Sequence, residues 1–192
     1  MSRRRPPGDA PLLAWGEARH SHRQRELRRL RLAILGGAAL VLLAVPPVYG
    51  PAPRLVWNAS ASAPTGLYWV WPGDAPARGE MAIAWPPPRW RALAAERHYL
   101  PANVPLVKRV AAAQGDLVCA SGPEVSVNGV RVATRVERDP SGRALPWWQG
   151  CRRLGPSEYL LLMDAPGSFD GRYFGISAGH DLIGRARLIW RC

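Results

Sequence analysis

Lys108 is the residue in this sequence whose type is hardest to explain by composition. Of the 26 basic residues in the 192-residue chain, 25 are arginine and the exception is Lys108. A lysine amine can lose its proton at accessible pH, whereas a guanidinium cannot, so this position suits a general base. If Val104–Ala111 is extended, Leu106, Lys108 and Val110 share one face and Arg109 takes the other. An amine set between apolar neighbours is desolvated, which disfavours the ammonium and lowers its pKa. Moving that pKa from about 10.4 toward 7 costs roughly 4 to 5 kcal/mol of stability. Such an amine could take the proton of a serine hydroxyl, and Ser60 and Ser62 stand in the polar run Asn58–Ser62 upstream. Other hydrolytic arrangements lack their residues. There is no G-x-S-x-G elbow, His20 and His22 lie in a basic tail, and His98 and His180 read as surface residues. No CxxC or Cys/His cluster suggests a metal, and no cofactor is expected.

The elements that must position these groups read as short strands. Gly66–Trp71, Glu80–Trp85, Val104–Ala111 and Glu124–Val132 are rich in aromatic and branched residues, with Asn128-Gly129 as a two-residue hairpin turn. Tyr159–Met163 and Leu182–Trp190 supply two more, and Arg89–His98, isolated behind Pro86-Pro87-Pro88, could form one short helix as an insertion. With 20 prolines and 19 glycines, many turns and short elements favour a mostly β domain over a helical bundle. Trp147-Trp148, after Pro146, suit either a core or a membrane interface. Cys119 and Cys151 lie 32 residues apart within the domain, and in an oxidising compartment a bridge between them is expected; Cys192 is left unassigned.

The net charge of +12 invites a nucleic-acid reading, but half of it sits in residues 1–31, where nine arginines face Asp9, Glu17 and Glu26. No helix-turn-helix, zinc-finger spacing or RNA-binding aromatic motif accompanies it, so no nucleic-acid partner is expected. From Leu32 to Tyr49 there are 18 uncharged residues, close to the roughly 20 that a membrane-crossing helix needs. A cleaved signal peptide fits the same stretch, but a basic leader of 31 residues is long for one. The expected organisation is a basic cytoplasmic tail (1–31), a transmembrane anchor (32–49) and an outward-facing domain (51–192), because arginine-rich flanks stay cytoplasmic. In a Gram-negative cell that places the domain in the periplasm, on the inner membrane.

Three segments carry a resemblance to a known family. Asn58–Tyr68 (NASASAPTGLY), Pro105–Asp116 (PLVKRVAAAQGD) and Gly167–Gly175 (GSFDGRYFG) are similar, in that order, to the boxes of the S26 signal-peptidase family, and more narrowly to its TraF-type branch of conjugative plasmid transfer. The resemblance implies a signal-peptidase-like antiparallel β domain behind one N-terminal transmembrane helix. It also implies that Ser62 is the nucleophile and Lys108 the general base. Ser60 matches the serine that helps form the oxyanion hole with the backbone N–H of Ser62, and Ser168 matches the one that orients the lysine amine. Asp170 matches the acid of the last box, expected to pair with Arg172 and hold the Lys108 strand in place. The implied substrate is an exported precursor polypeptide, a conjugative pilin, and in this branch the acyl-enzyme can be resolved by the substrate's own amino terminus. There are departures. Ala63-Pro64 follows the serine where ordinary signal peptidases have methionine, and Gly171 replaces the serine of Asp-Ser-Arg. They argue against a general type I signal peptidase, while joint retention of Ser62, Lys108 and Ser168 argues against an inactive membrane-anchored scaffold.

Overall fold

The computed structural model describes residues 26–41 and 52–192. The chain divides into two units, Met1–Pro51 and Ala52–Cys192. In the first, residues 26–41 form a helix, α1, with its side chains exposed. No helix among the described residues is long and apolar enough to cross a membrane. The end of the expected 32–49 span, from residue 42, and most of the basic tail lie outside the described residues.

The second unit is built from eleven strands and two short helices. In chain order these are β1 (Leu55–Asn58), β2 (Gly66–Pro72), β3 (Met81–Ala84), α2 (Pro88–Glu96), β4 (Leu106–Ala112), β5 (Leu117–Ser121) and β6 (Glu124–Val127). Then follow β7 (Val130–Thr134), β8 (Gly150–Arg153), β9 (Glu158–Leu162), α3 (Gly171–Phe174), β10 (Ser177–Ala178) and β11 (Leu182–Arg191). Seven strands make one sheet in the order β1-β2-β11-β3-β4-β9-β10, and four make a second in the order β7-β6-β5-β8. Every pairing is antiparallel. The expected mostly β architecture is therefore present.

Alternation along the strands decides which residues fill the core. In β2, Tyr68 and Val70 are buried while Leu67, Trp69 and Trp71 are half-exposed, the period-2 pattern of a sheet covered on one face. Tyr68, Val70, Ile83, Val107 and Met163 pack as one cluster, and Ala82, Val110, Tyr159 and Leu161 as another. Val118, Val125 and Val127 of the smaller sheet pack with Leu160 and Leu162 of β9. β9, buried along nearly its whole length, is thus shared between clusters.

The outward face of β1, β2 and β11 is aromatic. Register places Leu55 opposite Trp69 and Trp57 opposite Leu67, with Arg187 and Arg185 opposite Trp69 and Trp71. Trp57 meets Trp190 edge-on with ring centroids 6.1 Å apart, and the Arg185 guanidinium lies 4.3 Å over the Trp71 ring. Trp147 and Trp148 belong elsewhere. Their indole N–H groups donate to the carbonyls of Val136 and Gly171, and Arg135 stacks on Trp147 at 4.6 Å, so both rings pack into the domain.

Several elements depart from the sequence reading. The strands β1, β5, β8 and β10 and the helix α3 were not among the expected elements. β8 is exposed at every position and so has no alternating signal; its register is fixed across from β5, where Cys119 pairs with Cys151. Those two sulfurs are bonded at 2.05 Å. The Asn128-Gly129 turn has positive φ at both residues, 51° and 83°, as a two-residue turn between strands of right-handed twist requires. Helix α2 starts on Pro88, where a missing N–H costs nothing because first-turn donors have no intrahelical partner.

Candidate active site

Ser62 sits in the loop between β1 and β2, and the organiser of that loop is Asn58, the last residue of β1. The Asn58 amide donates to the carbonyls of Ser60, Ala63 and Pro64 at 3.0 to 3.1 Å, and its oxygen accepts the Ser60 N–H at 3.1 Å. The Tyr68 hydroxyl adds a donation to the Pro64 carbonyl at 2.8 Å. A loop of small residues with exposed Ala59, Ser60 and Ala61 is thereby fixed by two buried side chains, chiefly Asn58. The sequence reading did not assign Asn58 a role, because an asparagine before a turn is common and its four bonds appear only in three dimensions.

Lys108 stands at the middle of β4, between Ala82 of β3 and the buried Val110. It is 2% exposed. Its Nζ lies 2.7 Å from Ser168 Oγ and 3.2 Å from Ser62 Oγ. Burial is the main influence on its amine and drives the pKa down to about 8; Asp170 opposes that shift and Arg172 adds to it. A minor but usable fraction of the amine is therefore neutral near pH 7, far more than for an unperturbed lysine, with its lone pair available.

Ser60 completes the cluster. Its Oγ is 3.0 Å from Ser62 Oγ and accepts the Ser62 backbone N–H at 3.3 Å. The two groups that could serve an oxyanion, the Ser60 hydroxyl and the Ser62 N–H, lie side by side and are bonded to each other. A carbonyl oxygen arriving there would replace the contact between them, and donors so placed act where charge develops.

Beneath the amine lies a buried ion pair. Asp170 and Arg172 are fully and almost fully buried, and their side chains meet at 2.8 and 3.1 Å. Asp170 also accepts the N–H groups of Met163 and Arg172. Arg172 donates to the carbonyls of Met163, Pro166 and Thr134. A buried pair needs such additional bonds to offset desolvation. The direct attachment is to Met163, just beyond β9. β9 pairs with β4, with Arg109 across from Leu162, so the pair fixes the neighbouring strand and the loop that carries Ser168. Gly171 is explained by the same packing. A Cβ there would lie 2.8 Å from the Leu161 carbonyl oxygen, so a serine would push α3 off β9.

The serines and the lysine open into a groove of about 660 Å3. On its other side Ser62 faces a shallower depression of about 450 Å3, rimmed by Thr65, Asp164 and Arg191. No group of His, Cys, Asp and Glu residues that could hold a metal ion occurs among the described residues. His98 and His180 are both exposed and lie outside the groove lining.

The family described as signal peptidase, peptidase S26, matches residues 27–191, and the chain belongs to it. Two plasmid transfer proteins TraF from Escherichia coli are similar to it. One is 37% identical over 156 residues, covering 75% of this chain and 85% of the relative; the other is 34% identical over 163 residues, covering 79% and 89%. Among solved structures, a signal peptidase I from Enterococcus faecalis V583 aligns at 19% identity with a TM-score of 0.34, covering 58% of this chain and 97% of that one.

Proposed function

We propose that the chain is a membrane-anchored serine endopeptidase that processes an exported precursor, a pilin, during conjugative plasmid transfer. The observation that carries the catalytic part is the buried Lys108 amine, 3.2 Å from Ser62 Oγ and with a pKa lowered to about 8. In this reading Ser62 Oγ attacks the scissile carbonyl carbon while its proton passes to Lys108 Nζ. The carbonyl oxygen takes the negative charge against the Ser60 hydroxyl and the Ser62 N–H. The ammonium then protonates the departing amine, the C–N bond breaks, and an ester to Ser62 remains. A second nucleophile, water or an amine, gives its proton to Lys108, attacks the ester and releases Ser62 Oγ, which takes that proton back. Ser168 holds the amine in line at 2.7 Å, so that proton transfer needs no rearrangement.

The setting is supported by the TraF relatives and by the arginine flank ahead of the uncharged 32–49 stretch. The tryptophan and arginine face of β1, β2 and β11 suits the interfacial zone of a membrane, where both residue types are favoured. The domain then faces the periplasm of the inner membrane.

The test is co-expression of a co-encoded pilin precursor with the wild-type chain or with Ser62→Ala, followed by mass spectrometry and by external proteolysis of spheroplasts. The expected result is a shortened product only with the wild type, and digestion of the 51–192 domain from outside. A mass one water below that of the shortened linear product would show that an amine, not water, ended the reaction. Equal processing by Ser62→Ala would overturn the catalytic reading, and a domain protected from external protease would overturn the topology.

A further inference from the structure

The groove that begins at Ser62 and Lys108 does not end there. Its far wall is made by two segments that belong to neither sheet, the stretch following α2 and the 135–148 segment between β7 and β8. A clasp joins them across the groove. The Tyr99 hydroxyl donates to Asp139, Arg97 donates to the Ala144 carbonyl at 2.7 Å, and Arg143 donates to the Arg97 carbonyl at 3.2 Å. Arg143 also bonds Asp139 at 2.7 Å and lies 5.4 Å over the Tyr99 ring. The 135–148 segment lies within the loop closed by the Cys119–Cys151 bridge, which ties β8, at the segment's C-terminal end, to β5.

The clasp leaves an apolar, aromatic surface facing the groove. Tyr99 contacts Phe169 with ring centroids 5.2 Å apart, and Phe169 stacks on Tyr173 at 6.1 Å. Leu100, Val136 and Leu145 extend the same wall. Two charged residues line the groove. Lys108 is at the catalytic end, and Asp139 accepts from Tyr99, from the N–H groups of Ser141 and Arg143 and from the Arg143 side chain. That carboxylate is therefore committed to four donors and offers nothing to a basic side chain of a bound peptide. Phe169 is also the residue between Ser168 and Asp170, so the wall is continuous with the segment that orients the lysine.

From this geometry we infer that the Tyr99–Phe169 wall is a selectivity subsite that takes a bulky apolar side chain of the substrate, at a position removed from the scissile bond. The inference rests on the proposed peptidase function for the existence of a scissile bond, but not for the binding. The recognition chemistry is burial of an aliphatic or aromatic side chain against rings. Each methylene gained removes apolar surface from water, and ring contacts add to that gain. A carboxylate or ammonium would lose hydration without finding a partner.

The experiment uses the full chain in detergent and alanine-rich decapeptides carrying a single Phe, Leu, Ala, Asp or Lys at each position in turn. Cleavage is followed with the wild type, with the cut located by mass, and binding is followed by fluorescence polarisation with Ser62→Ala. At one position Phe or Leu should raise kcat/KM and affinity about tenfold over Ala, and Asp or Lys should lower both. Filling the wall from either segment, by Leu145→Trp or by Val136→Trp, should reverse the order so that Ala is preferred at that position. Two substitution sites keep the test intact if one variant fails to fold. Cleavage with no preference at any position, or a preference unchanged by both tryptophan variants, overturns the subsite. Selective binding without cleavage would retain the subsite and overturn the Ser–Lys chemistry.

Discussion

The loop that carries Ser62 and the strand that carries Lys108 meet at 3.2 Å, but they hold their residues by different means. Around Ser62 the chain is short, small-sided and partly exposed, and its shape comes from polar bonds to one side chain, Asn58. Around Lys108 the chain is a central strand with neighbours on both sides, and its environment is set by burial among Ala82, Val107 and Val110. In the proposed mechanism Ser62 is the nucleophile and Lys108 the base; a nucleophile must be reached by a polypeptide, so its loop cannot be covered. A lysine base must be kept from water, so its strand must be. The two requirements conflict in any single element. Here they are separated by 46 residues of sequence and joined in space.

The largest effect that could break this comparison is Lys108→Arg. The charge and reach are nearly kept, so a merely structural cation would survive the change. A guanidinium has no lone pair to offer at accessible pH, and cleavage should fall by about a thousandfold, within the 10² to 10⁴ attributed to general-base catalysis. In the wild type the neutral amine is the active form, so the rate should rise with pH through about 8. Near-normal cleavage by the arginine variant, judged folded by circular dichroism, would remove the Ser–Lys mechanism, and so would a flat rate between pH 6 and 9.

A smaller effect of opposite sign concerns stability. The Lys108 pKa is about 8 in the fold against 10.5 for an unperturbed lysine. The unfolded chain therefore binds one more proton between those values, and stability rises with pH across that window. Below pH 8 the full cost applies, about 3 kcal/mol at 1.36 kcal/mol per pKa unit. Lys108→Met removes that cost but strands the Ser168 hydroxyl, a loss of about 1 kcal/mol. The variant should be inactive yet about 2 kcal/mol more stable than the wild type at pH 7, with the gap closing as pH rises from 8 toward 10. Denaturant unfolding at three pH values checks it; equal stability at pH 7 would mean that the burial of the amine is not costly.

The same division explains what the sequence made legible. The Lys108 strand was readable because burial leaves a pattern, with apolar residues alternating around one lysine. Ser62, Ser60 and Ser168 were singled out only by resemblance to known boxes, since isolated serines in loops carry no periodic signal. Asp170 and Arg172 do pair, but that their further bonds run to the Met163 backbone beside β9 was not legible, because bonds to backbone groups do not depend on the type of the residue that supplies them. Asn58 and Tyr99 went unassigned for a similar reason. Their contacts run to loop carbonyls and to a residue 40 positions away, and neither leaves a spacing in the chain. Strand β8 was missed because an edge strand exposed at all four positions looks like a loop.

The smallest effect expected, and the one that separates the two halves most cleanly, is that of Asn58→Ala. The substitution removes three donated bonds and one accepted bond from the Ser62 loop. Asn58 forms no hydrogen bond to Lys108, and it is not among the groups that shift the amine. The loop should therefore loosen while the base keeps its environment. Displacing a reacting atom by about 1 Å can cost as much as a hundredfold, and a loss of roughly ten- to a hundredfold in kcat is expected. The midpoint of the pH–rate profile should stay near 8. Asn58→Asp keeps the acceptor for the Ser60 N–H but none of the three donors, so it should resemble Asn58→Ala and not the wild type. If Asn58→Ala moves the midpoint, the loop and the strand are not independent, and the amine is set in part by the nucleophile's own support; Asn58→Asp adds a carboxylate that can itself raise the amine's pKa, so only its rate is compared. If both leave the rate unchanged, the Ser62 loop is shaped by something other than Asn58, and Tyr68, which donates to the Pro64 carbonyl at 2.8 Å, becomes the residue to change next.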